Sequence, residues 1–455
     1  MISDCRLAIL FTPLPWNYSH PHPQQIKFLV RCKRGGDTLL TKQGQRFLSS
    51  LAAVAVAGDS SATNRLIRKF VAGSPKSVAL NALSYLLSRQ TSHLHLSPLA
   101  FSLYKEITEA SWFIWNSKLV ADLIALLNKQ EQYEESQRLI SQAVFNLTSR
   151  DRDLALFYCN MLESNSRHGS RRGFDQSYAY LTELLASSSS LFIKRQACKS
   201  MIVGSSQMGL PHEAEKMVEE MRNKGLKPSL FECRSILYEY GKLGFLEDME
   251  RYLHQMEKDG LEIDTVCSNM VLSSYGAHGA LLKMVLWLRK MKNSEIPYSI
   301  RTYNSVLNHC PTIISLVMES NDFPLSVVEL VGILKDEEVL LVKELIESPV
   351  LEDAIEWNAG EAKLDLHGMH LSSAYLIMIQ WMEETRSRFC NGNCAIPEEI
   401  VVVCGAGKHS NLRRESPVKQ LVKKLMVRTG CPMRINRKNI GCFVAKGKVL
   451  KKWFC

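Results

Sequence analysis

Asp365 and His367 are the residues of this 455-residue chain whose types and spacing most directly allow chemistry. They alternate within Leu364-Asp365-Leu366-His367-Gly368, so in a strand both side chains share one face. A histidine is a general acid or base near neutral pH, and a carboxylate beside it can orient the ring or hold a metal ion. Downstream, Cys404-Gly405-Ala406-Gly407-Lys408-His409-Ser410 is rich in glycine. Gly405 and Gly407 would let the backbone approach a phosphate and offer N–H donors. Lys408, His409, Arg413 and Arg414 supply contacts for backbone phosphates, or for charge that develops during phosphoryl transfer. Such a set could bind a phosphodiester or cleave it. The residues leave both readings open: Asp365 and His367 as a catalytic pair, or as a structural turn pair beside a loop that only binds phosphate.

These groups need a rigid frame, and the surrounding pattern predicts one. Residues 364–369 read as a short strand ending in a tight turn, and 371–389 as an amphipathic helix capped by Ser372 or Ser373. Residues 399–403 read as an apolar strand running into the glycine loop. Ser416-Pro417 opens a helix that Gly430 stops, a polar cap with proline at the first helical position. Residues 433–436 and 441–445 form a closing hairpin around Arg437-Lys438-Asn439. The order βαβαββ predicts an α/β sandwich over 363–455. Charge sets this stretch apart. It carries 17 basic and 6 acidic residues, against 32 and 38 over 59–362, in a chain of net charge +10. A folded domain with that excess has a nucleic-acid footprint.

Upstream, the chain repeats. Gly209, Gly244 and Gly279 are 35 residues apart, and Met221, Met256 and Met291 keep the same step. Ile202, Leu237, Leu272 and Leu307 extend it to a fourth unit. Such a period marks a stacked array of helical hairpins, built to bind extended partners. Within 231–259, one apolar helix, a glycine turn and a second amphipathic helix follow in order. The stripes of Met and Leu are core packing between helices. Residues 116–147 and 151–185 read as degenerate hairpins of the same kind, and a weaker pair starts near Thr63. The whole is mainly α: an α-α solenoid of 35-residue hairpins followed by the α/β sandwich. The segments are 59–195 (degenerate hairpins), 196–310 (regular repeats), 311–362 (an acidic helical linker with a helix over 331–347) and 363–455.

The register, with Met-Val-Glu-Glu-Met-Arg-Asn-Lys-Gly-Leu-Lys-Pro-Ser at 217–229 and Arg-Thr-Tyr-Asn-Ser-Val-Leu at 301–307, resembles the pentatricopeptide repeat family. That resemblance implies binding of single-stranded RNA, about one base per repeat. It also implies that the fifth and last residues of each repeat face the bases. These are Ser200 with Leu230, Ser235 with Thr265, and Met270 with Ile300. None of the last three is the Asn or Asp that reads a base edge, so weak or shape-driven RNA binding, or a protein partner on the repeats, is expected. The C-terminal stretch resembles the small MutS-related (Smr) domain through Leu-Asp-Leu-His-Gly at 364–368, Gly-Ala-Gly-Lys at 405–408 and Gly-Cys-Phe-Val at 441–444. That family implies nucleic-acid binding and, in some members, endonuclease activity, with Asp365 and His367 as its catalytic residues here. Cys404 stands where many active members have Thr or His. The two resemblances together point to a plant organellar RNA-binding protein. The alternative is a protein-binding scaffold with an inert Smr domain.

No cofactor is implied beyond Mg²⁺ in the event of cleavage. Cys390 and Cys394 have no second pair at zinc-site spacing, and no metal ligand set is read. Thirteen scattered cysteines read as reduced, buried thiols. Residues 1–58 hold 7 basic and 2 acidic residues, the acid-poor balance of a transit peptide, so a transit peptide and disordered N-terminus are expected there, with removal near residue 32. The chloroplast is favoured over the mitochondrion. No window has the roughly 18 consecutive apolar residues of a spanning helix, so no membrane partner is expected.

Overall fold

A computed structural model describes residues 40–88, 94–319, 323–390, 395–405 and 416–455. They fall into two compact units, up to Leu243 and from Gly244 onward.

The first unit is a run of helices: α1 (Lys42–Val56), α2 (Ser60–Gly73), α3 (Lys76–Leu87), α4 (Ala100–Thr108), α5 (Ser117–Lys129), α6 (Tyr133–Leu147), α7 (Asp151–His168), α8 (Arg171–Ser187), α9 (Leu191–Gln207), α10 (Pro211–Asn223) and α11 (Leu230–Leu243). Helix α1 corrects the expectation that 1–58 is an unstructured leader. Thr41 caps it by accepting from the Gly44 amide, and Phe47, Leu48 and Leu51 are buried, with Phe47 stacked on Phe70. One turn of helical stripe was enough to bring this segment into the core. The transit-peptide reading now concerns residues before 40, which lie outside the described residues. Asn116 and Ser170 cap α5 and α8, and buried Asn128 donates to Asn165 at 3.1 Å.

The second unit begins with α12 (Leu246–Lys258), α13 (Thr265–Ala277), α14 (Leu281–Asn293) and α15 (Ile300–Leu307). The repeat glycines do what the period demands: Gly209, Gly244 and Gly279 have φ of +77°, +80° and +68°. The helix ends repeat as well. After α10 and α12, Gly225 and Gly260 turn left-handed, and the next amide bonds back to Met221 and Met256. After α14, Glu295 takes that place at φ +55°, and Ile296 N reaches Met291 O. A β-carbon in that conformation costs about 1–2 kcal/mol, partly offset by the extra chain freedom a glycine has when unfolded. Glu295→Gly is therefore expected to raise stability by up to about 1 kcal/mol. The denaturation midpoint checks it, and a lower midpoint would refute the account.

Residues 311–362 contain more than the one helix expected over 331–347. They hold α16 (Pro311–Glu319), α17 (Val327–Ile333), α18 (Asp336–Ile346), α19 (Val350–Ala354) and strand β1 (Ile355–Trp357). The helix expected over 331–347 breaks at Leu334 and Lys335, both with extended backbone. Glu338 turns inward, 4% exposed, and accepts from the Thr312 amide at 3.0 Å, which satisfies a donor at the start of α16. Glu344 and Glu347 pair with Arg289 and Lys292 of α14. The acidic segment thus closes the end of the repeats.

After β1 come β2 (Glu361–Asp365), α20 (Leu371–Cys390), β3 (Glu399–Val403), α21 (Pro417–Arg428), β4 (Arg434–Ile435), β5 (Cys442–Lys446) and α22 (Gly447–Phe454). The sheet order is β1-β2-β3-β5-β4, with β2 and β3 parallel and the other pairs antiparallel. The expected βαβαββ order is thereby corrected at both ends, by β1 in front and α22 behind. Helix α20 packs against both α21 and α22. Trp357, Phe389 and Phe454 meet between β1 and the ends of α20 and α22, and Trp453 donates to Thr429 O. The same approach joins Cys390 to Cys455 in a disulfide, against the expectation of reduced thiols throughout. Eight other described cysteines are free, and seven of these are buried.

Candidate functional site

Strands β2 and β3 run side by side, and their C-terminal ends bring the candidate residues together. Ala362 and Leu364 are buried towards the helices, so Lys363 and Asp365 alternate to the opposite face. Leu366 N bonds to Val403 O, which ties the end of β2 to the end of β3. There the chain turns. Asp365 Oδ1 accepts from His367 N at 2.9 Å, and Gly368 takes φ +85°. Asp365 and His367 are therefore neighbours through a backbone contact, a side-chain-stabilised turn. The His367 side chain is exposed.

The neighbouring strand end is held with equal care. Cys404 N donates to Gly441 O at 2.8 Å, and Ser416 Oγ donates to Cys404 O at 3.1 Å. Ser416 precedes α21, so the loop leaves from Gly405, at φ +79°, and returns beside the same strand end. Gly407, Lys408, His409, Arg413 and Arg414 lie outside the described residues. The Cys404 side chain is buried, and burial pushes its thiol up to about 12, with Cys442 and Asp365 adding to the rise and Lys419 opposing it. Burial likewise raises Cys442, again with Asp365 contributing. A thiol held neutral in this way is no nucleophile near neutral pH. Lys419 thus lies within electrostatic range of Cys404, and Asp365 of both cysteines.

Lys419 was missed in the sequence. Its signal was its place, in the first turn of the helix that follows the glycine loop. A second pair was missed too. Asn304 of α15 donates to Gly368 O at 3.0 Å and accepts from His370 N at 2.9 Å, and Asn308 Nδ2 lies 2.6 Å from His370 Nδ1. Asn304 and Asn308 are one turn apart on a single helix face. His370, three residues after His367, is half-buried in this contact.

The positions expected to face bases are mostly committed elsewhere. Ser200 Oγ donates to Glu163 at 3.0 Å, Ser235 Oγ to Glu232 O at 2.7 Å, and Thr265 Oγ1 to Pro297 O at 2.9 Å. Leu230, Met270 and Ile300 are half-buried. Their side chains offer no carboxamide or carboxylate for a base edge. Among the described residues, no cluster of three or more His, Cys, Asp or Glu could hold a metal ion, and no helix is long and apolar enough to cross a membrane.

This combination of a 35-residue hairpin array and a small C-terminal sheet is a repeat protein with an appended α/β layer. The PPR repeat family matches residues 197–226, and the pentatricopeptide repeat domain matches residues 216–278. The pentatricopeptide repeat-containing protein At2g17033 of Arabidopsis thaliana is 59% identical over 448 residues, which cover 98% of this chain and 87% of that protein. The chain belongs to the pentatricopeptide repeat family. Among solved structures, PPR10 from maize matches at 14% identity and a TM-score of 0.40, over 84% of this chain and 51% of that one. PPR10 in complex with an 18-nt psaJ RNA element matches at 16% identity and a TM-score of 0.35, over 91% and 65%. This chain thus spans about half of the first PPR10 chain and just under two thirds of the second.

Proposed function

We propose that this protein binds single-stranded RNA in a plant organelle, the chloroplast ahead of the mitochondrion, through a basic C-terminal domain of the Smr type that the repeats help to place. One observation carries the reading: the cations of the two regions are used differently. On α14, Lys283, Arg289, Lys290 and Lys292 are all paired, with Glu250, Glu344, Glu257 and Glu347. In the sheet domain, Lys363 and Arg388 pair with Glu356 and Glu384, whereas Lys419, Lys423, Lys424, Lys446, Lys448 and Lys452 form no ion pair among the described residues. Cations left without carboxylates are available to a polyanion, and RNA binding releases the counterions held along it.

Cleavage is the narrower form of this reading. Asp365 and the exposed His367 lie beside the end of β3, after which the sequence continues through Lys408, Arg413 and Arg414. If Mg²⁺ takes part, Asp365 would help to hold it alongside RNA phosphates and water, since Mg²⁺ is commonly bound through one or two carboxylates plus substrate, and it would offset charge on the phosphate. The scaffold alternative draws on the repeats, where inward-bonded hydroxyls leave little to read a base.

The test is RNA affinity of the full chain carrying Lys408→Ala, Arg413→Ala and Arg414→Ala together. Affinity for unrelated single-stranded RNAs is expected to fall by one common factor. The salt slope should flatten by about 2, since each backbone contact contributes somewhat under one. A loss confined to one RNA sequence would show base reading, and the proposal would fail. No RNA affinity at all would leave the scaffold.

A further inference from the structure

We propose that Asn304 and Asn308 are positioning residues that join the last repeat helix and the basic sheet domain into one continuous track for single-stranded RNA. This rests on the RNA-binding reading above and adds to it how the two surfaces are coupled. The Asn304 carboxamide acts as a short bridge, donating to Gly368 O and accepting from His370 N on either side of one turn. Asn308 fixes the ring that follows. The turn so gripped is the one that carries Asp365 and His367.

The place of the grip on the repeat matters as much as its bonds. Asn304 directly precedes Ser305, which is 35 residues beyond Met270 and so stands at the base-facing position of the fourth repeat. The Ser305 hydroxyl accepts from Ser273 of the preceding repeat at 3.0 Å. Helix α20, which starts from the gripped turn, packs against α15 as α15 packs against α13. The sheet domain's first helix therefore continues the row of first helices in the repeats. A strand lying along that row reaches His367 where a further repeat would have begun.

Other contacts keep the same parts from shifting. Tyr303 Oη donates to Leu345 O at 2.6 Å, and Tyr375 Oη donates to Pro324 O at 2.7 Å. Glu383 accepts from Val327 N at 2.8 Å, and Arg428 donates to the Phe323 carbonyl. They hold α20 and α21 to the segment that closes the repeats. Asn304 and Asn308 hold the turn itself to α15. Two weak surfaces held at a fixed spacing bind a long ligand far better than either does alone, and looseness between them erodes that gain.

The test compares oligouridylates of about 4 and about 16 nucleotides on the full chain, wild type against the Asn304→Ala/Asn308→Ala variant. Wild type is expected to bind the long oligomer at least about a hundredfold more tightly than the short one. The variant should keep short-oligomer affinity within about twofold and lose about tenfold on the long one. A merely structural loss would lower both together or shift the melting temperature, and would overturn the proposal. An undiminished length gain in the variant would overturn it while leaving RNA binding intact. No affinity of wild type for either oligomer, with capture of a protein partner in its place, would overturn both readings.

Discussion

If the protein cleaves RNA as proposed, Asp365→Ala and His367→Ala are each expected to lower that cleavage by about 10²–10⁴-fold, the range for loss of a positioned acid or base. RNA affinity should stay within a few fold, because these groups act mainly in the transition state. The assay is cleavage of labelled single-stranded RNA by purified protein, with and without Mg²⁺. The structure makes one control decisive. Asp365 also builds the turn, since its Oδ1 accepts from His367 N. Asp365→Asn keeps an acceptor oxygen for that amide and removes the charge. If the carboxylate is chemical, Asp365→Asn should be nearly as inactive as Asp365→Ala. If the residue only shapes the turn, Asp365→Asn should cleave normally. Equal cutting by wild type and all variants would assign the activity to a contaminant. If wild type does not cut under any metal condition, the domain is an RNA clamp. Cys404 is then the first residue to examine, because its buried thiol, pushed up by burial, stands at the start of the glycine loop.

Gly447→Ala is expected to unfold the sheet domain more readily than any other single methyl added to a described glycine. A β-carbon there would lie 1.9 Å from the carbonyl oxygen of Pro397 and 3.0 Å from Ile396 Cγ2. The first obstacle is backbone, and it is tied in place: Gly447 N donates to Glu398 O at 3.1 Å. Overpacking commonly costs about 1–3 kcal/mol, and this geometry belongs at or above the upper end. Gly276→Ala provides the scale. Its β-carbon would meet the His309 ring at 2.3 Å, but a side chain can swing aside, so the smaller loss is expected there. His309→Ala should restore most of the Gly276→Ala loss, and no second side-chain change should restore Gly447→Ala. Equal midpoints for wild type and Gly447→Ala in chemical unfolding would disprove the packing argument. The fluorescence of Trp453, on the helix that Gly447 begins, reports the same event locally.

Features that depend on local period and local chemistry are legible in the residues themselves. The 35-residue step located the helix turns, because a left-handed turn needs glycine and recurs once per hairpin. It marked 116–147 and 151–185 as helical pairs, because their apolar stripes have helical spacing. The alternation of Leu364, Asp365 and Leu366 put Asp365 on the face away from the helices, since strand geometry leaves no other choice. Features that depend on partners distant in the chain emerge only once the chain has folded. Strand β1 is three residues long, too short for any alternation to declare it, and it exists because Lys363 and its neighbours offer a free edge. Helix α22 brings Cys455 to Cys390, a pairing that spacing cannot reveal. Glu338 and Glu344 read as solvated acids until the donors they satisfy are known. The same holds for the site. Asn304 and Asn308 carry no motif, and their role appears only because the fold brings the turn at Gly368–His370 against them, where its backbone groups needed hydrogen-bond partners.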